Sequence, residues 1–220
     1  MSKVYVFLAD GFEEIEGLTV VDLLRRAGEE VETVSIMGRK MIEGSHKIKV
    51  EADALFEETD FTEGKMLVLP GGMPGTRHLG AYKPLTDMLC DWDTKGKQLA
   101  AICAAPSVFG DLGILNGKEA VCYPGFEERL TGATIGEGTV AVTDHVITSR
   151  GMGTAIDFAA ALIARLQDEK KQRKSRHLLF TDSNAVMEAC TFPRKIVQRV
   201  LKIRKKPSKP QKKLAFLKAY

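Results

Sequence analysis

Three positions in this chain combine reactive side chains or exposed backbone with the local pattern of a strand end. The first is Cys103, where the apolar run 99–102 gives way to small residues, Ala104-Ala105-Pro106. A strand that turns sharply into a helix exposes its turn residue, as in a nucleophile elbow. A thiol at that point also faces the positive end of the helix, which favours thiolate. The same pattern fits a small buried hydrophobe, because free cysteine is among the most buried residue types. Local sequence does not separate these readings. The second position is Glu16, one of an acidic trio with Glu13 and Glu14. Acidic residues are ordinary in a first helical turn. A carboxyl beside a thiolate, however, tends to keep its proton, since two anions in contact repel, and it can then shuttle that proton. The third is Gly71-Gly72, whose N–H groups could hold a developing oxyanion, with the N–H of Ala104 as a second donor. A plain Pro-Gly turn is the commoner use of such residues.

Other reactive residues are read as bystanders. Cys90 and Cys122 fit a helix and a strand as core residues, and the four cysteines show neither CxxC pairs nor zinc spacing with histidine. His46, His78, His145 and His177 are expected in loops or the tail, so a Cys–His pair could form only in space, through His78 or His145. No P-loop motif occurs, and Gly151-Met152-Gly153 lacks the third glycine of a dinucleotide fingerprint. No metal and no cofactor is expected.

The elements that must position these residues alternate. Apolar or β-branched runs at 4–8, 31–36, 66–69 and 99–102 read as buried strands. Shorter strands are expected at 120–122, 139–142 and 146–149, the last two joined by a turn at Asp144-His145. Ile15, Leu18, Val21 and Leu24 recur on one helical face, with Gly28 as the left-handed stop. Further helices are expected at 84–94, after Cys103 to about Gly113, and at 155–166. Thr154 and Asp157 have capping-box spacing before the last of these. Alternation with nearly all-apolar strands predicts an α/β fold, a doubly wound, mainly parallel sheet with helices on both faces. In such sheets sites form beyond the carboxyl ends of the strands, where Glu16, Gly71-Gly72 and Cys103 all fall.

The whole chain has 220 residues and a net charge of +3, but the charge is split. Residues 1–168 carry 16 Lys+Arg against 26 Asp+Glu, and residues 169–220 carry 16 against 3. The expected organisation is an acidic α/β domain over 1–168 and a basic C-terminal extension over 169–220, partly helical or disordered. The extension could contact nucleic acid through phosphates, although a solvated charge run is the more ordinary reading. No apolar run approaches the roughly 18 residues of a membrane span, and the short apolar start interrupted by Asp10 does not read as a signal peptide. No membrane contact and a cytoplasmic location are expected.

Five segments in order carry a family resemblance: residues 9–16 (ADGFEEIE), 21–28 (VDLLRRAG), 68–72 (VLPGG), 100–106 (AAICAAP) and 148–154 (TSRGMGT). Over about residues 3–167 the chain resembles the DJ-1-like branch of the ThiJ/PfpI family. The resemblance implies a flavodoxin-like fold related to class I glutamine amidotransferases, and a homodimer. It implies Cys103 as the elbow nucleophile, Glu16 as its hydrogen-bonded carboxyl, and Gly72 and Ala104 as backbone anion donors, with Gly71 and Tyr123 nearby. It implies cofactor-free glyoxalase or deglycase chemistry on a small aldehyde, or alternatively redox sensing or chaperone-like protection through Cys103 oxidation. Two departures stand out. Ala104 follows the elbow cysteine where the peptidase branch has histidine, which argues against proteolysis. Tyr123 occupies the position where other members carry an active-site histidine, and a phenol, with a pKa of ~10, is a poor base at neutral pH.

Overall fold

In a computed structural model, residues 3–167 are described. The chain runs β1 (Lys3–Leu8), α1 (Glu14–Arg26), β2 (Val31–Ser35), β3 (Met41–Glu43), β4 (Lys49–Glu51), β5 (Ala54–Leu55), β6 (Gly64–Leu69), α2 (Gly75–Ala81) and α3 (Lys83–Thr94). It continues with β7 (Gln98–Ile102), α4 (Pro106–Asp111), β8 (Glu119–Ala120), β9 (Thr134–Ile135), β10 (Val140–Thr143), β11 (Val146–Ser149) and α5 (Ala155–Leu166). The main sheet has seven strands in the order β10-β11-β7-β6-β1-β2-β5. Its pairings are parallel except for the edge hairpin of β10 with β11. The expected extension at 169–220, with Cys190 and His177 in it, lies outside the described residues.

Side-chain alternation along the strands divides the interior into two cores. Tyr5, Phe7, Leu67, Leu69, Leu99 and Ala101 point to one face and meet α2, α3 and α4 through Leu79, Leu85, Leu89, Trp92, Val108 and Phe109. Val4, Val6, Leu8, Met66, Val68 and Ile102 point to the other face. There they meet α1 and α5 through Val20, Leu24, Phe158 and Leu162. The sheet is therefore doubly wound and mainly parallel with helices on both faces, as expected. From β1 the chain builds outward through β2 and β5, then returns to place β6 on the other side of β1. That reversal opens a crevice at the carboxyl ends of β1 and β6, the place where open α/β sheets bind ligands.

Several local expectations need correction. The buried face of α1 is Glu14, Glu16, Gly17, Val20, Val21 and Leu24. Ile15 is half-exposed instead, because the helix turns Glu14 and Glu16 inward on either side of it. α2 was not anticipated; its small residues carry no apolar period, and His78 therefore lies on a helix instead of a loop. The strand expected at 120–122 ends at Ala120, where the N–H of Val121 turns to the buried Thr148 hydroxyl. The capping box expected from Thr154 to Asp157 does not form. A 3-10 turn precedes α5, and the Thr154 hydroxyl donates to the Gly151 carbonyl at 2.9 Å.

Candidate active site

Four strand ends converge on the crevice. β7 ends at Ile102, and Cys103 follows with φ of +66°. A residue other than glycine in the left-handed region costs roughly 1–2 kcal/mol, so other contacts must hold it there. The Cys103 N–H donates to the Ser149 carbonyl at 2.9 Å, and its carbonyl accepts the Tyr123 N–H at 2.8 Å. β11 on one side and the 121–124 segment on the other thus clamp the elbow. The half-buried thiol is the target of the backbone N–H groups of Gly72 and Ala104.

Glu16 reaches the same point from α1. It is 1% exposed. Its Oε2 accepts the Gly71 N–H at 2.9 Å, and the carboxyl is hydrogen-bonded to Cys103. Its other oxygen, Oε1, has no hydrogen-bond partner. Burial pushes the Glu16 pKa up to about 7, against the pull of its Cys103 and Gly71 hydrogen bonds. Burial and the neighbouring Glu16 charge push the Cys103 thiol up to about 12, although the Gly72 and Ala104 N–H groups draw it down. This corrects the expectation of a thiol simply lowered by a helix end. α4 has only six residues, and the carboxyl dominates the local field. The pair titrates as a unit sharing one proton; when Glu16 holds that proton, the repulsion that opposes the thiolate is gone.

Gly71 is required by this packing. A β-carbon on it would fall 2.5 Å from Cys103 Cβ and 2.6 Å from Glu16 Oε2. Gly72, at φ +88°, would meet the Glu13 nitrogen at 2.3 Å. The two glycines are thus a close-approach turn that aims N–H groups into the crevice.

The acidic trio separates by role. Glu14 turns away from the thiol and is buried under the turn between β3 and β4. Its Oε1 accepts the His46 N–H at 2.8 Å, and its Oε2 accepts the Ser45 hydroxyl at 3.1 Å. Burial works to raise its pKa, but the backbone N–H groups of Glu14 and His46 prevail and hold it below the usual range. Among the described residues, Glu13, Glu14 and His46 form the grouping that could hold a metal, with ligand atoms within 4.8 Å. Its Glu14 oxygens are already occupied by these donors.

Among the described residues, the histidines do not reach Cys103. His78 Nδ1 lies 3.1 Å from the Asp10 carbonyl, and His145 Nε2 lies 2.8 Å from Asp93 Oδ1. Cys122 is buried in the core, and its thiol is raised to about 11 by burial and Glu127. Burial likewise raises Cys90. A cavity of about 400 Å³ lies on the far side of the Gly11 turn. Its charges are paired, Arg39 with Asp10 and Lys47 with Glu43.

Sequence reasoning missed Gly151. It follows β11, the fourth strand end at the crevice, and a β-carbon on it would lie 3.8 Å from Glu16 Oε1. The signal was available: a glycine two residues beyond a buried parallel strand marks close approach.

A DJ-1/PfpI family match spans residues 2–165, most of the chain. The chain belongs to the DJ-1/PfpI family. It is similar to the protein dj-1beta of Drosophila melanogaster, 34% identical with 81% of this chain and 98% of that protein covered. It is 39% identical to DJ-1 homolog B of Arabidopsis thaliana over 77% of this chain. The chain spans only 39% and 47% of the lengths of the two Arabidopsis DJ-1 homologs, B and A. Among solved structures, oxidized Toxoplasma gondii DJ-1 superposes with a TM-score of 0.76 at 36% identity, covering 83% of this chain and all of that one. A protein named a deglycase, from Pyrococcus abyssi, is 30% identical over 69% of this chain and 91% of its own length. The DJ-1/PfpI family thus includes members named for deglycation. Among the described residues, no helix is long and apolar enough to cross a membrane.

Proposed function

We propose that this chain is a cysteine-dependent, cofactor-free glyoxalase or deglycase acting on α-oxoaldehydes such as methylglyoxal. The observation that carries this reading is the buried, unpartnered Oε1 of Glu16 beside a hydrogen-bonded thiol. An orphaned carboxyl oxygen with a pKa near 7 is a proton carrier waiting for a substrate.

In this mechanism the ionised Glu16 takes the thiol proton as Cys103 attacks, so the sulfur reacts as thiolate. A C–S bond forms at the aldehyde carbon, and the carbonyl π pair moves to oxygen. The Gly72 and Ala104 N–H groups stabilise that oxygen, and protonation gives the hemithioacetal. Glu16, having given its proton to that oxygen, removes the proton from the former aldehyde carbon and returns it to the neighbouring carbon, while the hydroxyl proton passes to the neighbouring oxygen, leaving a lactyl thioester. Water adds to the thioester, the C–S bond breaks, and lactate leaves. Methylglyoxal and water are consumed in equal amounts, and no external electron acceptor is needed.

The test is lactate formation from methylglyoxal by metal-free protein. Activity should fall by at least 100-fold in Cys103→Ser and by roughly 10²–10⁴-fold in Glu16→Ala, the scale of a lost acid–base group. Unchanged turnover in both variants overturns the mechanism.

A second reading is a redox sensor. The thiol is half-buried and already hydrogen-bonded to a carboxyl that can donate to an oxidised sulfur. Mild peroxide should then add two oxygens at Cys103, and intact mass spectrometry without that gain counts against this reading. A homodimer is part of the same proposal.

A further inference from the structure

The Gly72 and Ala104 N–H groups that face the thiol each belong to a peptide group whose carbonyl lies on the residue before, Gly71 and Cys103. Both peptides are prone to turn. One joins two glycines, which offer no side chain to resist rotation, and Gly72 stands at φ +88°. The other follows Cys103, held at φ +66° against the left-handed penalty. Rotation of either plane swings its N–H away from the sulfur. Each plane is pinned at its carbonyl by an N–H from a distant segment. The Glu13 N–H donates to the Gly71 carbonyl at 2.9 Å, and the Tyr123 N–H donates to the Cys103 carbonyl at 2.8 Å. Carbonyl and N–H share one planar unit, so fixing the first aims the second. A carbonyl that accepts a hydrogen bond also polarises its own peptide N–H. Glu13 is itself anchored: the Phe12 carbonyl before it accepts the Ser45 N–H at 2.8 Å, and its Oε2 accepts the Ser45 hydroxyl at 3.0 Å. The turn between β3 and β4 thereby holds the start of α1 against Gly71-Gly72.

We propose that Glu13 and Tyr123 are a matched pair of positioning residues, whose backbone N–H groups aim the Gly72 and Ala104 donors at Cys103 and so set how readily its sulfur reacts. The inference deepens the function proposed above and rests on Cys103 as its nucleophile. It does not require that an aldehyde be turned over. It gives the remaining member of the acidic trio a role through its backbone, separate from the proton carried by Glu16 and the turn held by Glu14.

The experiment uses the full chain and replaces single backbone N–H groups by an ester oxygen. Residue 13 carries lactic acid, with Glu13→Ala as its reference. Residue 123 carries the α-hydroxy acid of tyrosine, with wild type as its reference. Lactic acid in place of Ala52 is the control, because the Ala52 N–H donates to the Lys40 carbonyl at 2.8 Å and touches neither donor peptide. Two readouts are compared. One is the amide proton shift of Gly72 and of Ala104 by NMR. The other is the rate of Cys103 alkylation by iodoacetamide, in which sulfur displaces iodide and forms a C–S bond, followed by peptide mass spectrometry. The ester at 13 should move the Gly72 proton upfield, leave Ala104 in place and slow alkylation by about two- to ten-fold, the worth of one backbone hydrogen bond. The ester at 123 should move Ala104 instead, with a similar loss of rate, and the ester at 52 should change neither. A merely loosened fold would move both protons together. An ester at 13 or 123 that leaves its own donor proton and the alkylation rate unchanged overturns the proposal, and either ester decides if the other does not fold. If wild type forms no lactate from methylglyoxal, the glyoxalase reading fails, and these readouts still decide the positioning roles.

Discussion

Glu16 shows how one side chain couples stability to chemistry. Its carboxyl titrates near 4.5 when unfolded and at about 7 in the fold. Between those values the native state binds more protons than the unfolded state, so stability falls as pH rises from about 4.5 to 7. Glu16→Gln removes that dependence while keeping an oxygen for the Gly71 N–H. At pH 8 it should be more stable than wild type by on the order of 2–3 kcal/mol, and the gap should close as pH falls toward 4.5. Urea denaturation across this range measures it. A variant no more stable at pH 8 than at pH 5, relative to wild type, refutes the burial argument. In wild type, kcat/KM should rise through pH ~7 as the carboxyl becomes able to accept a proton. Nothing in the string Glu13-Glu14-Ile15-Glu16 says which acid does this. Helical rotation aims Glu16 at the thiol and Glu14 at the β3–β4 turn, and that rotation is set by which side of α1 packs on the sheet.

The elbow after β7 is the element on which the site depends. Cys103 holds φ at +66°, and the clamp from Ser149 and Tyr123 supports the strain. Replacing Cys103 with glycine relieves the left-handed penalty, whereas alanine keeps it. After allowing for glycine's extra freedom in the unfolded chain, Cys103→Gly should be roughly 0.5–1 kcal/mol more stable than Cys103→Ala. Equal thermal unfolding temperatures for the two would show that the clamp carries no strain. Most elements were legible beforehand because buried parallel strands are continuous apolar runs and α5 is strongly apolar. α2 was not, because its glycines and histidine, set between the Pro-Gly turn at 70–74 and Tyr82-Lys83-Pro84, show no period. The Thr154 capping box failed for a related reason: hydroxyl partners depend on the turn that precedes a helix, and spacing does not report that turn.

For the whole molecule, the exposed apolar residues suggest where a second copy would bind. Ile15 opens α1 and Ile156 opens α5, both are more than one-third exposed, and the two helices share one core. Under the homodimer proposal, sedimentation should give about twice the 24.2 kDa chain mass, and Ile15→Asp with Ile156→Asp should give the monomer. A wild-type monomer at micromolar concentration counts against the dimer. The net charge of +3 says little about the partners of this body, since residues 1–168 are acidic on their own. We propose that the charge boundary near residue 168 is a domain edge.

Taken alone, the sequence determined the α/β class, the strand-end positions of Glu16, Gly71-Gly72 and Cys103, and membership of a family through five ordered segments. These are properties of local pattern, since periodicity and turn chemistry act over a few residues. Tertiary structure decided the rest. It brought four strand ends, far apart in the chain, to one crevice, left Glu16 Oε1 without a partner, and raised both pKa values through burial. It also set Gly151 close to both that oxygen and the Tyr123 ring. Desolvation and contact between distant segments depend on how the chain folds back on itself, and that information is not held by any one stretch of residues.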